Sequence, residues 1–402
     1  MRIGFDVSQT GQAKAGCGYV AHNLIEHLAR GYPGDRFLAY RSFGDFFWDP
    51  EGERHTTVPA LPNVEAVPLP AGREEARRFW HPGRPAPEDA LGAPDLIHSN
   101  NFFCPTNLAS ARLVYTLYDL SFVRHPEWTT EENRAGCLRG LFDASLCADM
   151  ILSISDFSRR HFLAEFPHYP ADRVRVFPLA SRYRDRAPGR RPAALPDGLE
   201  PGGFWLAVGT IEPRKNYTGL LHAYARLKAA RPRRRLPLVI AGKAGWLEGP
   251  FAALLDGLGL RDDVTVTGYV DDDELKWLFQ SCFATVYPSF WEGFGLPPLE
   301  ALSQGAAVIT SDVSSLPEVV GGDALLVDPH DPAAIAGAME RLLDEPALLA
   351  DLRARAPRRS ERFSWDEAAR VAHDAYGRAL DGPPLAAVLG RAPAGAAAAA
   401  GR

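Results

Sequence analysis

Two stretches of the sequence carry residue types suited to phosphate and sugar chemistry. In Glu212-Pro213-Arg214-Lys215-Asn216 a planar guanidinium stands beside a point-like ammonium, and together they can neutralise a diphosphate. An isolated Arg-Lys pair usually belongs to a solvated surface. Here it falls between the end of an apolar run and a helical pattern that Asn216 can cap, so free backbone N–H groups and two cations converge on one point. The second stretch, Glu292-Gly293-Phe294-Gly295-Leu296-Pro297-Pro298-Leu299-Glu300, holds two carboxylates. Gly293 and Gly295 permit a tight turn, and prolines suit the first turn of a helix, where a missing N–H costs nothing. That helix is expected to run to Gln304 and stop at Gly305, with Glu300 on its first turn and Glu292 in the loop before it. The two acids need not face each other and suit different parts of an elongated ligand. Taken alone, Glu300 reads as an acid complementing the helix dipole; the glycine-flanked Glu292 has no such account.

A third stretch, Gly16-Cys17-Gly18-Tyr19-Val20-Ala21, has the letters of the dinucleotide fingerprint and opens a helix with Val20, Leu24, Ile25 and Leu28 on one side. It begins well after the preceding strand pattern ends, and no acid follows the run 37–40 to hold a ribose, so a nicotinamide enzyme is the poorer reading. Two readings stay open: a flexible loop that uses glycine for turns, and a lid whose backbone approaches phosphates from the opposite domain.

These residues need elements to position them. Short apolar runs at 2–7, 37–40, 64–69, 96–98, 113–117, 150–154 and 174–177 resemble buried parallel strands, most of them separated by helix-length segments. A stretch rich in Arg, Pro, Ala and Gly at 185–203 reads as a linker between a first domain, 1–184, and a second, 204–365. The second domain's strand runs are 204–208, 238–241, 264–267, 283–287, 307–309 and 324–327, alternating with helix patterns such as Leu220, Leu221, Tyr224, Ala225 and Leu227. The expected fold class is therefore α/β, with two doubly wound Rossmann-like domains. In such sheets ligands bind outside the carboxyl ends of the strands. There lie Gly209-Thr210 with Arg214 and Lys215, then Gly242-Lys243, Gly268-Tyr269-Val270, and the segment from Pro288 to Gly295. An Ala/Gly/Pro/Arg-rich disordered tail is expected at 383–402.

Composition narrows the function. The 402 residues are 46% hydrophobic and 23% charged, enough for two ordinary α/β cores. A net charge of -6 and a pI near 6.0 argue against a nucleic-acid partner. Five scattered cysteines read as reduced thiols of a cytoplasmic protein, and neither a leader nor a membrane-spanning run is recognised. The arginines Arg231, Arg233, Arg234 and Arg235 read either as a helix C-terminal complement or as a contact with anionic lipid at the inner face of a membrane.

From Phe204 to Pro329 the chain resembles the retaining nucleotide-sugar glycosyltransferases of glycosyltransferase family four, which have the GT-B fold and include many bacterial mannosyltransferases. The resemblance rests on Gly209-Thr210, Arg214-Lys215-Asn216, Gly268-Tyr269-Val270, the Glu292–Glu300 pair, and Ser315-Leu316-Pro317-Glu318-Val319 leading to Leu326-Val327-Asp328-Pro329. It implies two domains facing a central cleft, with Arg214 and Lys215 on the donor diphosphate, Glu292 on the transferred sugar and Glu300 on the ribose hydroxyls. It further implies backbone contacts at Phe294, Gly295 and Leu296, Val270 beside the base, Gly16 to Tyr19 as the family's glycine loop, and a last helix, 366–382, packed back on the first domain. Leu117 to Glu127 looks like the acceptor-side strand exit, where many relatives have His before Asp119 and this chain has Tyr118.

The implied reaction retains the anomeric configuration. No metal and no cofactor is implied, so Arg214 and Lys215 would neutralise the leaving diphosphate. A leaving phosphate oxygen can take the acceptor's proton; the alternative is a covalent intermediate on Asp119 or another carboxylate. The implied donor is a GDP-linked mannose or deoxyhexose, and the acceptor a saccharide or lipid-linked saccharide of polysaccharide biosynthesis. Competing readings are a sugar-nucleotide epimerase or phosphorylase-like enzyme on the same fold and a silent sugar-nucleotide-binding module. Glycoside hydrolysis is disfavoured because it wants two carboxylates across one bond.

Overall fold

The computed structural model describes residues 1–8, 10–11, 14, 16–41, 56–67, 79–80, 86–100, 102–183, 185–231, 236–243 and 251–391. Arg233, Arg234, Arg235 and the end of the chain from 392 lie outside the described residues. The chain divides into two compact units: Met1–Pro126, Glu131–Leu179 and the segment from Ser364 form the first, and Glu127–Thr130 with Ala180–Phe363 the second.

The first unit holds β1 (Arg2–Asp6), β2 (Arg36–Tyr40), β3 (Val64–Ala66), β4 (Leu96–Ser99), β5 (Arg112–Leu117), β6 (Met150–Ser153) and β7 (Val174–Val176). The second holds β8 (Trp205–Val208), β9 (Leu238–Ala241), β10 (Val264–Gly268), β11 (Ala284–Tyr287), β12 (Val308–Ser311) and β13 (Leu325–Val327). The described helices are α1 (Gly16–Gly31), α2 (Ser121–Arg124), α3 (Glu131–Cys147), α4 (Asp156–Glu165), α5 (Tyr217–Ala230), α6 (Phe251–Gly257) and α7 (Asp272–Ser281). After them come α8 (Leu296–Ser303), α9 (Leu316–Val320), α10 (Pro332–Asp344), α11 (Pro346–Ser360), α12 (Trp365–Asp381) and α13 (Leu385–Val388).

Each unit has one parallel sheet. The orders are β3-β2-β1-β4-β5-β6-β7 and β10-β9-β8-β11-β12-β13, with pairings such as Ile3↔Phe37 and Ile3↔Leu96 in the first and Trp205↔Leu238 and Ala284↔Trp205 in the second. Every expected strand run thus becomes a strand, because a parallel sheet covered by helices on both faces buries consecutive side chains; all four residues of β8, β9 and β11 are buried. Helix α5 turns Leu220, Leu221, Tyr224 and Leu227 into the second core. Counted within each unit, both sheets begin with the doubly wound order 3-2-1-4-5-6, which places a reversal of winding between β1 and β4 and another between β8 and β11.

Three expectations change. Residues 185–203 form neither helix nor strand, yet they belong to the second unit and are fastened to α7. Lys276 donates to Asp185 at 2.5 Å, Gly189 N–H to Gln280 Oε1 at 3.0 Å, and Arg190 to Glu274 at 2.8 Å. Proline and glycine here suppress regular structure without leaving the backbone loose; a side chain on Gly189 would collide with Trp277 backbone. The tail expected from 383 is ordered through Arg391. Leu385 is buried in the first core and its N–H donates to Asp149 at 2.8 Å, so a single anchored leucine overrides the average composition. Gly16 to Tyr19, finally, are neither a loop nor a turn but the start of α1, with Gly18 and Tyr19 buried.

Helix α12 belongs to the first unit and packs on α1, β5 and β6. Ser364 caps it, its N-cap side chain accepting from Asp366 N–H. Tyr376 OH lies 2.6 Å from His98 Nδ1, and His98 Nε2 lies 2.8 Å from Thr116 Oγ1. Burial pushes the His98 pKa down to about 3, so the ring is neutral and serves the fold. Among the described residues no helix is long and apolar enough to cross a membrane.

Candidate active site

The loops leaving β8 and β11 flank the reversal in the second sheet, and they supply the charged residues. After β8 the chain turns sharply at Gly209, whose φ of +132° excludes side chains. It then makes a 3-10 turn over Pro213–Lys215 and enters α5. Asn216 controls the junction. In the left-handed region (φ +57°), it accepts the Gly219 N–H at 3.0 Å as the α5 cap and donates to the carbonyls of Pro288 at 3.0 Å and Pro329 at 2.7 Å. One buried amide thereby ties together the exits of three strands.

The 3-10 turn aims Arg214 and Lys215 at Glu292 in the loop after β11. Lys215 Nζ donates to Glu292 Oε1 at 2.7 Å and to Tyr287 OH at 2.5 Å, and Tyr287 OH donates to Glu292 Oε1 at 2.9 Å. Arg214 donates from one terminal nitrogen to Glu292 Oε2 at 2.7 Å and to the Trp291 carbonyl at 2.9 Å, and from the other to Glu212 Oε1 at 2.7 Å. Two cations and two carboxylates therefore meet in a cluster whose formal charges cancel. Burial by itself would raise the Glu292 pKa, but Arg214 and Lys215 outweigh it and hold the carboxyl at about 2. Burial, and then the Arg214 charge, lower the Lys215 pKa against the pull of the carboxylates.

The Glu292 loop is braced from α9. Ser315 Oγ, fully buried, lies 2.8 Å from the carbonyls of both Glu292 and Phe294, and the Glu292 N–H donates to Ser314 Oγ at 3.1 Å. Gly295, at φ +105°, caps α8; an added Cβ would sit 2.8 Å from Leu316. Because α8 starts at Leu296, Glu300 falls on its second turn, not the first, and is buried. A helix-dipole role would leave the acid near solvent at the terminus. Glu300 instead takes Arg182 on both oxygens, at 2.6 and 3.2 Å.

The model of the family "Glycosyl transferases group 1" matches residues 200–359. Over 306 residues the chain is 37% identical to O-antigen chain mannosyltransferase B of Escherichia coli, covering 75% of this chain and 79% of that protein. The chain belongs to the group 1 glycosyltransferases. It is also 37% identical over 238 residues to the serotype-specific mannosyltransferase WbdA of Escherichia coli, a match spanning 58% of this chain but 27% of that longer protein. Among solved structures, sucrose-phosphate synthase from Thermosynechococcus elongatus superposes with a TM-score of 0.68 at 22% identity, covering 94% of this chain and 98% of that one. The fold is GT-B, and the protein is a glycosyltransferase.

In this glycosyltransferase the second unit gathers Gly209, Thr210, Arg214, Lys215, Glu292, Phe294, Gly295 and Leu296 around one sheet reversal. Glu300 lies apart from the four-charge cluster, with Arg182 and Asp272. Gly268, Tyr269 and Val270 leave β10 at the sheet's edge, where Tyr269 is half exposed under the Lys243 ammonium, 4.6 Å from the ring centroid. Gly16, Gly18, Tyr19 and Asp119 belong to the first unit. Asp119 Oδ1 accepts the Ser121 N–H at 2.8 Å and the Ser121 hydroxyl at 2.7 Å, a local turn that starts α2. Tyr118 is buried, with its hydroxyl 3.4 Å from the Cys17 carbonyl. Sequence reasoning missed Glu212, Tyr287 and Arg182. Glu212 and Tyr287 stand beside residues it singled out, so a charge count over the two loops would have found the acid; nothing local marks Arg182.

Proposed function

We propose that the protein transfers a hexose, mannose or a related deoxyhexose, from a GDP-sugar to a saccharide or lipid-linked saccharide acceptor, with retention and without a metal ion. The observation that carries this reading is the Arg214–Lys215–Glu292 cluster at the winding reversal of a chain related over most of its length to an O-antigen mannosyltransferase. The donor diphosphate takes Arg214 and Lys215, displacing part of their pairing with Glu292. Glu292 then turns to the sugar hydroxyls, Glu300 accepts from the ribose, and the base lies by Val270. The backbone of Phe294, Gly295 and Leu296, at the start of α8, offers N–H groups to the sugar and phosphates.

In the reaction the bond between the anomeric carbon and the phosphate oxygen breaks, and its electron pair leaves with the diphosphate. The two cations stabilise that developing charge. The acceptor oxygen bonds the same face of the sugar, and its proton passes to the leaving phosphate oxygen, so no side-chain base is required. Asp119, engaged with Ser121, remains an acceptor that can orient the incoming hydroxyl.

A thermal-shift panel of nucleotide sugars tests the donor, because a ligand that binds the native state raises its apparent stability. GDP-mannose and related GDP-hexoses are expected to raise the melting temperature most; stabilisation by uridine-linked sugars alone would overturn the base assignment. Turnover of the selected donor is expected to survive EDTA. Loss with EDTA and rescue by magnesium or manganese would refute the metal-independent step.

A further inference from the structure

Glu300 is a carboxylate with a 1% exposed side chain, and such a group needs a counterion and satisfied lone pairs. Arg182 supplies both. Its Nε donates to Glu300 Oε1 at 2.6 Å and one terminal nitrogen to Oε2 at 3.2 Å, a side-on fork, while the other terminal nitrogen donates to Asp272 Oδ1 at 2.9 Å. The Arg182 side chain is itself only 16% exposed, whereas Asp272, the first residue of α7, is half exposed. The guanidinium therefore spans a buried acid on the second turn of α8 and an outer one at the start of α7. We propose that Arg182 is the positioning residue for donor ribose recognition: its fork holds the Glu300 carboxylate plane so that the remaining lone pairs accept the ribose hydroxyls.

The inference rests on the ribose reading of Glu300 given above. Each carboxylate oxygen has two acceptor sites, so an oxygen that takes one Arg182 hydrogen bond can still take a hydroxyl. A planar fork fixes the carboxylate's rotation, which a point-like ammonium does not. Among the described residues the charged groups facing Glu300 are Arg182, from the segment after β7, and Asp272, from α7. Burial raises the Glu300 pKa, Arg182 opposes that, and Asp272 adds to it. Without the guanidinium both surviving influences push the same way. Glu300 then takes up a proton as the pH falls and loses acceptor capacity.

The experiment is calorimetric titration with GDP and 2′,3′-dideoxy-GDP, with the two uridine counterparts in parallel, on the wild type, Glu300→Gln, Arg182→Gln and Arg182→Lys. The wild type is expected to prefer the ribonucleotide about tenfold, the worth of a hydrogen bond to a charged group. Arg182→Gln is expected to lose most of that preference, with the remainder shrinking as the pH falls. Arg182→Lys, which keeps the charge without the fork, is expected to fall between them with little dependence on pH. If Arg182→Gln fails to fold, Arg182→Lys decides: a reduced preference supports the assignment and an unchanged one overturns it. If Glu300→Gln abolishes the preference while both Arg182 variants keep it at every pH, Arg182 has no positioning role. If the wild type itself shows no preference for ribose with either base, the ribose reading of Glu300 falls, and this inference with it.

Discussion

Both sheets reverse their winding between the first and fourth strand of their unit, yet what stands at the two reversals is unlike. In the first unit β1 ends at Asp6, whose Oδ1 takes the Ser8 N–H at 2.9 Å and the Ser8 hydroxyl at 2.5 Å. Next to it Asn100 donates to the Asp6 carbonyl at 3.2 Å and accepts from Thr116 at 2.7 Å, and Thr116 meets the neutral His98. Apart from Asp6, the members of that network among the described residues are uncharged side chains tied to one another. In the second unit the loops after β8 and β11 carry four formal charges, Glu212, Arg214, Lys215 and Glu292, packed into mutual contact. Equal winding creates equivalent places, and the loop residues alone decide which of them can hold a diphosphate.

If the comparison is right, the largest effects come from the second reversal. Lys215→Met and Arg214→Gln are each expected to lower donor kcat/KM about ten- to a hundredfold, the usual cost of losing a desolvated charge contact. The double variant should lose less than the product of the two, since both residues share Glu292. Unchanged kcat/KM in either single variant would take that residue out of the site.

Glu292→Gln probes the same cluster through stability. The Glu292 pKa lies at about 2 in the folded protein, below its ordinary 4.5. A depressed carboxylate stabilises the fold fully above the unfolded value, and the contribution is lost as the pH falls through the folded one. Wild type should therefore melt above Glu292→Gln near neutrality, and the gap should close between about pH 5 and about pH 2. A melting difference that is constant across that window would mean that Glu292 is not held ionised by Arg214 and Lys215.

How much of this was legible beforehand follows from what is local. The thirteen strands were visible because each is a short apolar run, and the α5 cap was visible because Asn216 sits where a helix pattern begins. The identity of the two cations and of Glu292 came from residue type and place along the chain. Their pairing did not, because Glu212 and Tyr287 acquire meaning only when β8 and β11 lie side by side. Arg182 was invisible for the same reason: its partner is 118 residues away. The start of α1 was misread since glycine spacing alone cannot tell a loop from a helical first turn, and α13 since composition averages hid Leu385.

A smaller effect is expected one layer out from the charges. Ser315→Ala removes the one hydroxyl proton that the buried carbonyls of Glu292 and Phe294 share, with no change of charge. Leaving buried acceptors without a donor costs roughly 1–3 kcal/mol, so denaturant unfolding should shift by about that amount. Donor KM should rise a few-fold, since the Glu292 loop loses its brace. An unchanged unfolding midpoint would show that Ser315 does not hold that loop.

The smallest effect belongs to the first unit and tests the contrast from its other side. Tyr118 stands where many relatives have His, so a role in the reaction would make its hydroxyl indispensable. The structure gives that hydroxyl one long contact, 3.4 Å to the Cys17 carbonyl, in a buried setting that pushes its pKa well up. Burial is the leading cause, and it keeps the phenol protonated and unsuited to take a proton at neutral pH. The ring, by contrast, packs against Phe102, with centroids 5.3 Å apart. Tyr118→Phe keeps the ring and drops only a weak hydrogen bond, so donor kcat/KM is expected to change less than about twofold and stability by about 0.5–1 kcal/mol. Tyr118→Ala, which empties the ring's place beside Phe102 and the start of α1, is expected to destabilise by about 3–5 kcal/mol. A loss of a hundredfold or more in Tyr118→Phe turnover with stability intact would place the hydroxyl in the chemistry and would give the first unit, at the exit of β5, a share in it.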